Sequence, residues 1–196
     1  MKTPKHQEQG IALIFVLLIL VVVSLLGIGG AQLAMLGEKG ARNERDMLVA
    51  EQSAEAALQD AEFDMRGPGT AKRKTLFSDG MNFSDGCGTS GDTRGLCSPS
   101  AAGKPIWLGV DFMDTSAQRQ YTLMGDHTDR TIKTGNGIQP ALAPRYIVEN
   151  LPDIPQGADI GITNKQPKKY LHRVTAMGFG PNQDTRAVLQ MVFRKE

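Results

Sequence analysis

The chain has 196 residues, with 22 Lys and Arg against 21 Asp and Glu, giving a formal net charge of +1. This balance argues against a nucleic-acid-binding protein that relies on a broad basic surface. Apolar residues make up 40% of the chain, but the 21 residues from Ile11 to Ala31 carry no charge, and 17 of them are apolar. The remainder is about 35% apolar, which fits one modest domain rather than two. Any cytoplasmic interpretation therefore has to explain the apolar segment.

As a helix, Ile11–Ala31 is about 31 Å long, which matches the hydrocarbon thickness of a bilayer. Lipid offers no partners to backbone amides, so a helix is the required conformation. Lys2 and Lys5 precede the segment against a single Glu8, and positive charge on the short side keeps that end cytoplasmic. We therefore expect a single-pass inner-membrane protein whose C-terminal part is periplasmic.

Three interpretations of this segment compete. A cleaved secretory signal has a shorter apolar region of about 7–15 residues, although Gly29-Gly30-Ala31 fits its small-x-small cleavage pattern. A plain membrane anchor fits the length equally well. The third interpretation depends on the junction Gln9-Gly10-Ile11, where a short polar leader, residues 1–10, meets the apolar run at a lone glycine. This junction resembles the class III signal of type IV prepilins, which a membrane-embedded prepilin peptidase cuts after the glycine, here between Gly10 and Ile11.

The segment Glu38–Arg66 is compatible with a continuation of the same helix. It contains no proline, and it carries eight acidic and four basic side chains, most of which are interpreted as a solvated face. Small and apolar residues recur along the opposite face at helical spacing. These are Ala50, Ala54, Ala57, Leu58 and Ala61. Gly67-Pro68-Gly69 predicts the end of the helix, which is therefore apolar over residues 11–31 and amphipathic over residues 32–66.

The remainder, residues 67–196, is rich in glycine and proline, which predicts turns, short strands and irregular connections. Gly67–Lys104 is poor in apolar residues and is predicted to be a loop. The last two strands are expected to form an antiparallel hairpin through the turn cluster Gly178–Gln183. Strands are predicted at Ile106–Met113, Gln120–Met124, Arg145–Leu151, Tyr170–Gly178 and Thr185–Arg194. The sheet should bury one face on the alanine stripe, so the predicted fold class is α+β and pilin-like: a long N-terminal helix packed on a C-terminal antiparallel sheet.

The candidates for chemistry are few. Cys87 and Cys97 are expected to form a disulfide, because the compartment beyond the membrane is oxidising. A metal site is the alternative, but the cysteine spacing matches no zinc signature and no histidine is near in sequence. The turn Gly125–Asp129, which contains His127, could coordinate a cation, and a solvated polar turn is the preferred interpretation. Because no catalytic motif occurs, we expect no enzyme activity, cofactor or metal.

Several stretches are similar to the PilX-type minor pilins of type IVa pilus systems. Ala50–Leu58 resembles the AE-x-x-AEAAL stretch of that family, and Cys87–Cys97, Pro144–Glu149 and the closing hairpin also look like it. The resemblance implies a minor pilin that is N-methylated at Ile11 and joins a complex near the tip. Such a protein helps to prime pilus assembly and is needed for twitching motility. The implied partners are other minor pilins, the major pilin, the prepilin peptidase, the inner-membrane assembly platform and the membrane, with no nucleic acid.

One position departs from the general pilin pattern. The fifth residue after the predicted cleavage is Phe15, where most pilins place a glutamate that pairs with the amino terminus of a neighbouring subunit. An unpaired carboxylate is costly in hydrocarbon, so Phe15 removes both the cost and the pairing, and we expect a subunit at or beside the filament tip. Polymerisation is expected to use Ile11, Leu13, Ile14, Phe15 and Leu18. A type II secretion pseudopilin and an unprocessed membrane-anchored binding domain remain as alternatives.

Overall fold

The computed structural model describes residues 9–67, 73–77, 81–100, 103–132, 135–153 and 170–194. The elements in chain order are the helix α1 (Gln9–Arg66) and the strands β1 (Leu96–Cys97), β2 (Thr122–Leu123), β3 (Arg145–Pro152), β4 (Tyr170–Phe179) and β5 (Arg186–Arg194). Short 3₁₀ helices lie at Lys74–Phe77, Gly91–Thr93 and Ile106–Leu108. The chain divides into two compact units, which we call the N-terminal unit (Met1–Arg45) and the head (Asp46–Glu196).

The N-terminal unit consists, in its described part, of the first half of α1. Its large apolar side chains from Ile11 to Leu36 are all exposed, with exposed fractions between 46% and 72%. In the described part of the chain, α1 is the one helix long and apolar enough to cross a membrane. The predicted helix from Ile11 to Arg66 is confirmed, and the apolar segment fits a single-pass membrane anchor.

The head contains one sheet with the strand order β1-β3-β4-β5, and β2 also pairs with β3. The three long strands are antiparallel neighbours, with Val148 opposite Val174 and Val174 opposite Met191. The short strand β1 runs parallel to β3 and places Leu96 opposite Val148. The predicted antiparallel sheet and the closing hairpin are confirmed, and β1 adds a parallel pair that was not expected.

The predicted contact between the alanine stripe and the sheet is also confirmed. Four alanines of α1 are completely buried: Ala50, Ala54, Ala57 and Ala61. The main core cluster joins the last two of them to Val148, Val174 and Ala176 of the sheet. Small side chains let β4 lie directly against the helix, because a Cβ placed on Gly178 would collide with backbone atoms of α1.

Two strand predictions need correction. Ile106–Met113 is not a strand: Ile106–Leu108 forms a 3₁₀ helix and turns follow it. Pro105, just before this run, has no N–H to give to a ladder. Most of the apolar side chains of the run pack into a core, although Leu108 is 51% exposed. Phe112, for example, is buried and stacks on Tyr121 with 6.1 Å between ring centroids. The strand predicted at Gln120–Met124 is only two residues long, Thr122–Leu123.

The sheet is covered on its second face as well. A second core cluster contains Ile147 of β3 together with Phe112, Tyr121 and the two cysteines. The predicted loop Gly67–Lys104 has little regular structure in its described part, but it is not a solvent-facing loop. Four of its large side chains are buried: Arg73, Phe77, Phe83 and Leu96. Arg73 pairs with Asp64 of α1, and the three apolar side chains belong to the core cluster that contains Ala57 and Ala61. The head is therefore built in three layers: α1 and part of this loop lie on one face of the sheet, and the irregular segments of the second core cluster lie on the other.

Candidate assembly surface and buried polar cluster

The predicted polymerisation residues lie on an exposed apolar surface of the N-terminal unit. Their exposed fractions lie between 59% and 65%: Ile11, Leu13, Ile14, Phe15 and Leu18. Gly10 and Ile11, the predicted processing pair, lie in the first turns of α1. Of the predicted leader, residues 1–8 lie outside the described residues. An apolar surface of this kind is stable in lipid or against other apolar helices, because either environment removes it from water.

Ser24 is the one polar side chain in the apolar segment Ile11–Ala31. Its hydroxyl donates a hydrogen bond of 2.7 Å to the carbonyl oxygen of Leu20, one turn earlier in α1. A hydroxyl that is satisfied within its own helix does not need water. The segment is therefore compatible with hydrocarbon along its whole length.

The head holds a buried ion pair beneath the helix. Asp64 of α1 and Arg73 have side chains that are 0% exposed. The Asp64 Oδ2 atom accepts hydrogen bonds from Arg73 Nε at 2.9 Å, from Arg73 Nη2 and from the Tyr146 hydroxyl at 3.1 Å. Oδ1 of Asp64 has no hydrogen-bond partner among the described residues. A buried charge is tolerated only when it is paired and hydrogen-bonded, so the three side chains depend on one another.

The same arginine ties the disulfide loop to the helix. Arg73 Nη1 donates to the carbonyl oxygens of Asp92 at 3.2 Å and Arg94 at 2.7 Å, and both residues lie between Cys87 and Cys97. The Thr122 hydroxyl donates to the Arg94 carbonyl at 2.9 Å. One guanidinium therefore joins α1, the disulfide loop and, through Tyr146, strand β3.

Asp60, one helical turn before Asp64, holds the turn Gly125–Asp129. Its carboxylate accepts hydrogen bonds from the Gly125 amide at 2.9 Å and from the Thr128 hydroxyl. Asp60 is completely buried, and Thr128 and His127 are 4% and 7% exposed. The solvated turn expected around His127 is therefore wrong for His127 and Thr128, which are buried against the carboxylate that α1 supplies, whereas Asp126 and Asp129 are exposed. Asp60 and Asp64 are likewise the exceptions to the solvated charges of α1.

Burial shifts the pKa values of three ionisable side chains in this part of the head, Asp60, Tyr146 and His127. It raises the pKa of Asp60, although the hydrogen bonds from Thr128 and Gly125 act to lower it. It also raises the pKa of Tyr146 well above its usual range, with the Asp64 charge acting in the same direction. Burial lowers the pKa of His127, and the positive charge of Arg73 lowers it further. We conclude that His127 is neutral in the folded head near pH 7.

We expect the head to lose stability as the pH falls below about 6.5, the ordinary pKa of histidine. The unfolded His127 takes up a proton there, whereas the buried side chain resists it, so the unfolded state binds more protons and acid favours it. Thermal unfolding of wild-type protein and His127→Gln at several pH values tests this. The variant is expected to lose less stability on acidification, and identical acid profiles would contradict it.

The described part of the head contains no cluster of metal-ligating side chains. Among the described residues, no group of three or more His, Cys, Asp or Glu side chains is placed to hold an ion. Cys87 and Cys97 are joined as the predicted disulfide, so the zinc alternative for these cysteines is excluded. Both are buried, at 5% and 0% exposure, and the bond closes the loop that Arg73 binds.

Removing this bond by Cys87→Ser/Cys97→Ser should lower the free energy of unfolding of the head by about 2.5–3 kcal/mol, from the entropy of closing a loop of this size. Trp107 is the single tryptophan and packs against the second core cluster, which contains both cysteines. Its fluorescence therefore reports unfolding of the head. The full chain in detergent micelles is the sample. Wild-type protein treated with reductant should melt like the double variant, and an unchanged melting temperature in both would contradict the prediction.

The sequence did contain a signal for the buried carboxylates. Asp60 and Asp64 are four residues apart and follow Ala57 and Ala61 at three-residue spacing, which places them on the buried face of α1. The roles of Arg73 and Tyr146 could not be found in this way, because their partners are distant in sequence. Pro144–Glu149 was identified only as a stretch similar to a known family.

An apolar helix that is compatible with single-pass membrane anchoring, together with an α+β head, defines the class: a subunit with a pilin-like fold. Residues 84–195 match the family described as Type IV pilus assembly protein PilX C-term, and residues 9–59 match the PilX N-terminal family. Comparison with curated proteins and with solved structures gives no match. The chain belongs to the PilX family of type IV pilus minor pilins and is involved in type IV pilus assembly.

Proposed function

We propose that this minor pilin is made as a prepilin, cleaved between Gly10 and Ile11 by the prepilin peptidase and N-methylated at Ile11. The mature subunit then joins other minor pilins and the major pilin in a low-abundance complex that primes assembly near the pilus tip. The subunit acts by helix packing. With the head on the periplasmic side, the apolar surface of α1 leaves the lipid and is buried against neighbouring helices at the assembly platform. It needs no enzyme activity or cofactor.

The observation that carries the tip position is Phe15. Its side chain is 61% exposed and apolar at the position where most pilins place a glutamate for the subunit next to them. A subunit that lacks this carboxylate does not need to pair with the amino terminus of a neighbour, which suits the end of a filament. The exposed apolar surface around Phe15 still supports packing on its other sides.

Deletion of the gene, scored for pili and twitching motility, tests the assembly role. We expect few or no surface pili and loss of twitching, both restored by the wild-type gene. Normal pili in the deletion strain would contradict a priming role. Secretion of type II substrates is the parallel measurement: a secretion defect with normal pili would favour the pseudopilin alternative.

Immunogold labelling tests the position in the filament. Label is expected at one end of each pilus, at low abundance. Label spread evenly along the shaft would exclude a tip position while leaving membership of the pilus intact.

A further inference from the structure

The last strand of the sheet has an open outer edge. In the strand order β1-β3-β4-β5, β5 pairs with β4 along all nine of its residues and has no strand on its other side. The opposite edge differs, because β3 is covered there by the two-residue strands β1 and β2. Among the described residues, no backbone group of β5 bonds to anything outside the hairpin. The sheet therefore ends in one long strand that lacks a second neighbour.

The register of the hairpin shows which backbone groups of β5 point outward. Continued by one pair, it places Gly180 opposite Thr185, and the Gly180 amide donates to the Thr185 carbonyl at 2.8 Å. Bonded and non-bonded pairs alternate along an antiparallel ladder, so the odd-numbered residues of β5 bond to β4. The even-numbered residues direct their N–H and C=O groups away from β4. These are Arg186, Val188, Gln190, Val192 and Arg194.

The centre of β5 lacks the features that usually protect an edge strand from pairing. Natural edge strands are short, bulged or interrupted by proline or charge. The seven residues from Ala187 to Phe193 contain no charge, proline or glycine, and the register with β4 is continuous, without a bulge. Val188 and Val192 are 42% and 62% exposed. An edge of this length and composition is suited to pairing with another strand.

Both ends of this edge are positively charged. The side chain of Arg194 is 62% exposed and lies 3.1 Å from Asp153, and that of Arg186 is 39% exposed and lies 3.8 Å from Asp184. Because both arginines are in contact with water, these ion pairs are weak. Each guanidinium has five N–H donors and keeps several of them for another acceptor. Both side chains can therefore reach a residue placed opposite them on an added strand.

The two arginines argue against a second copy of this chain as the added strand. Antiparallel pairing of two β5 strands about Gln190 would put Arg186 of each copy opposite Arg194 of the other. Parallel pairing in register would put each arginine opposite its own equivalent. Like charges directly opposite each other are destabilising. A strand with an acidic residue at each end would instead form two cross-strand ion pairs.

We propose that the open edge of β5 binds an extended segment of a different pilus subunit, which joins the sheet as a further strand. This segment carries acidic residues opposite Arg186 and Arg194 and uncharged residues between them. Main-chain hydrogen bonds supply the binding, and the side chains at the two ends supply the selection. The inference rests on the proposed function, because it names the surface through which the head holds a neighbour in the tip complex.

The edge is tested first in the full-length protein in detergent micelles. The probe is the peptide acetyl-Glu-Thr-Val-Thr-Thr-Thr-Val-Thr-Glu-amide, whose length matches the nine residues of β5, and backbone amide exchange is followed by NMR. The outward amides of Val188, Gln190 and Val192 are expected to exchange more slowly when the peptide is present. Those of Leu189 and Met191 should be unchanged, because β4 already holds them. No slowing at the outward amides overturns the site, and equal slowing at all five overturns an edge contact.

The same peptide with lysine in place of both glutamates tests the selection by charge. It is expected to bind about tenfold more weakly, equivalent to about 1.4 kcal/mol, because two attractive cross-strand pairs become repulsive ones. Equal affinity for the two peptides overturns the requirement for acidic ends. Sedimentation of the protein without peptide tests the other occupant: a dimer of the wild type that Val192→Pro abolishes would identify a second copy and overturn the assignment to a different subunit.

Val192→Pro removes one outward N–H group and leaves the bonds to β4 in place. It is expected to weaken binding of the acidic peptide about tenfold or more. Val192→Thr is the matched control, because it keeps the N–H group and a β-branched side chain, and its affinity should lie within about threefold of the wild type. Equal binding by the two variants overturns the edge contact. Trp107 fluorescence shows that each variant is folded, and the amide-exchange test needs no variant at all.

The partner is tested in cells. Val192→Pro is expected to reduce the number of pili several-fold, and Val192→Thr is expected to leave it unchanged. Wild-type pilus numbers with Val192→Pro, in a strain that needs the protein for pili, overturn the subunit contact. Normal pili in the deletion strain overturn the proposed function instead, so the two failures are distinguishable.

Discussion

Asp64→Ala is expected to lower the free energy of unfolding of the head by about 3–5 kcal/mol, which is the cost of leaving a buried charge without its partner. The side chain of Arg73 is 0% exposed, so it cannot reach water when the carboxylate is removed. Tyr146 loses the same acceptor. Thermal and urea unfolding of the full chain in micelles, followed by Trp107 fluorescence, measures the change.

Glu62→Ala is the matched control for Asp64→Ala. Glu62 pairs with Arg66 at 3.3 Å on the surface of the same helix, where the two side chains are 42% and 65% exposed. Exposed pairs of this kind contribute little, at most about 1 kcal/mol. If both variants lost the same small amount of stability, the buried ion pair would not be a principal contact of the head.

Gly178→Ala is expected to destabilise the head by about 3 kcal/mol, at the upper end of what overpacking costs. A Cβ at Gly178 would collide with the backbone of Ala50 and Ala54, and backbone atoms cannot rotate away as a side chain can. The sheet must therefore move off the helix or the variant must fail to fold. The amount of folded protein and its melting temperature in micelles measure the effect.

Gly137→Ala is the control for Gly178→Ala, since a Cβ at Gly137 would meet nothing within 4 Å. We expect its melting temperature to match or slightly exceed that of the wild type. A Gly178→Ala protein that melts like Gly137→Ala would contradict the close packing of β4 on α1.

The parts of the fold that could be predicted are those in which apolar or small residues recur at the spacing of a helix or a strand. The alanine stripe repeats with the helical period, and all four of its alanines are buried. The closing hairpin is bounded by a cluster of turn residues, and β4 and β5 lie within a residue of the predicted positions. Such patterns are local, so burial of one face follows from the sequence directly.

The errors came from segments whose conformation is decided by distant partners. The apolar run Ile106–Met113 is too short for its period to separate a strand from another buried conformation. The buried position of His127 depends on Asp60, which is 65 and 68 residues away from the residues it binds in that turn. The sequence indicated Arg145 only as part of the stretch Pro144–Glu149 and of a predicted strand. Its contacts with Tyr121 and Phe179 could not be predicted, because these two aromatic residues come from different parts of the chain.

The mature N-terminus, determined by mass spectrometry of the protein from the membrane and from sheared pili, tests the central claim most directly. A processed pilin predicts a chain that begins at Ile11, carries an N-methyl group and lacks the preceding ten residues. A chain that retains Met1–Gly10 in both fractions would contradict the account and leave an unprocessed membrane anchor with a pilin-like head.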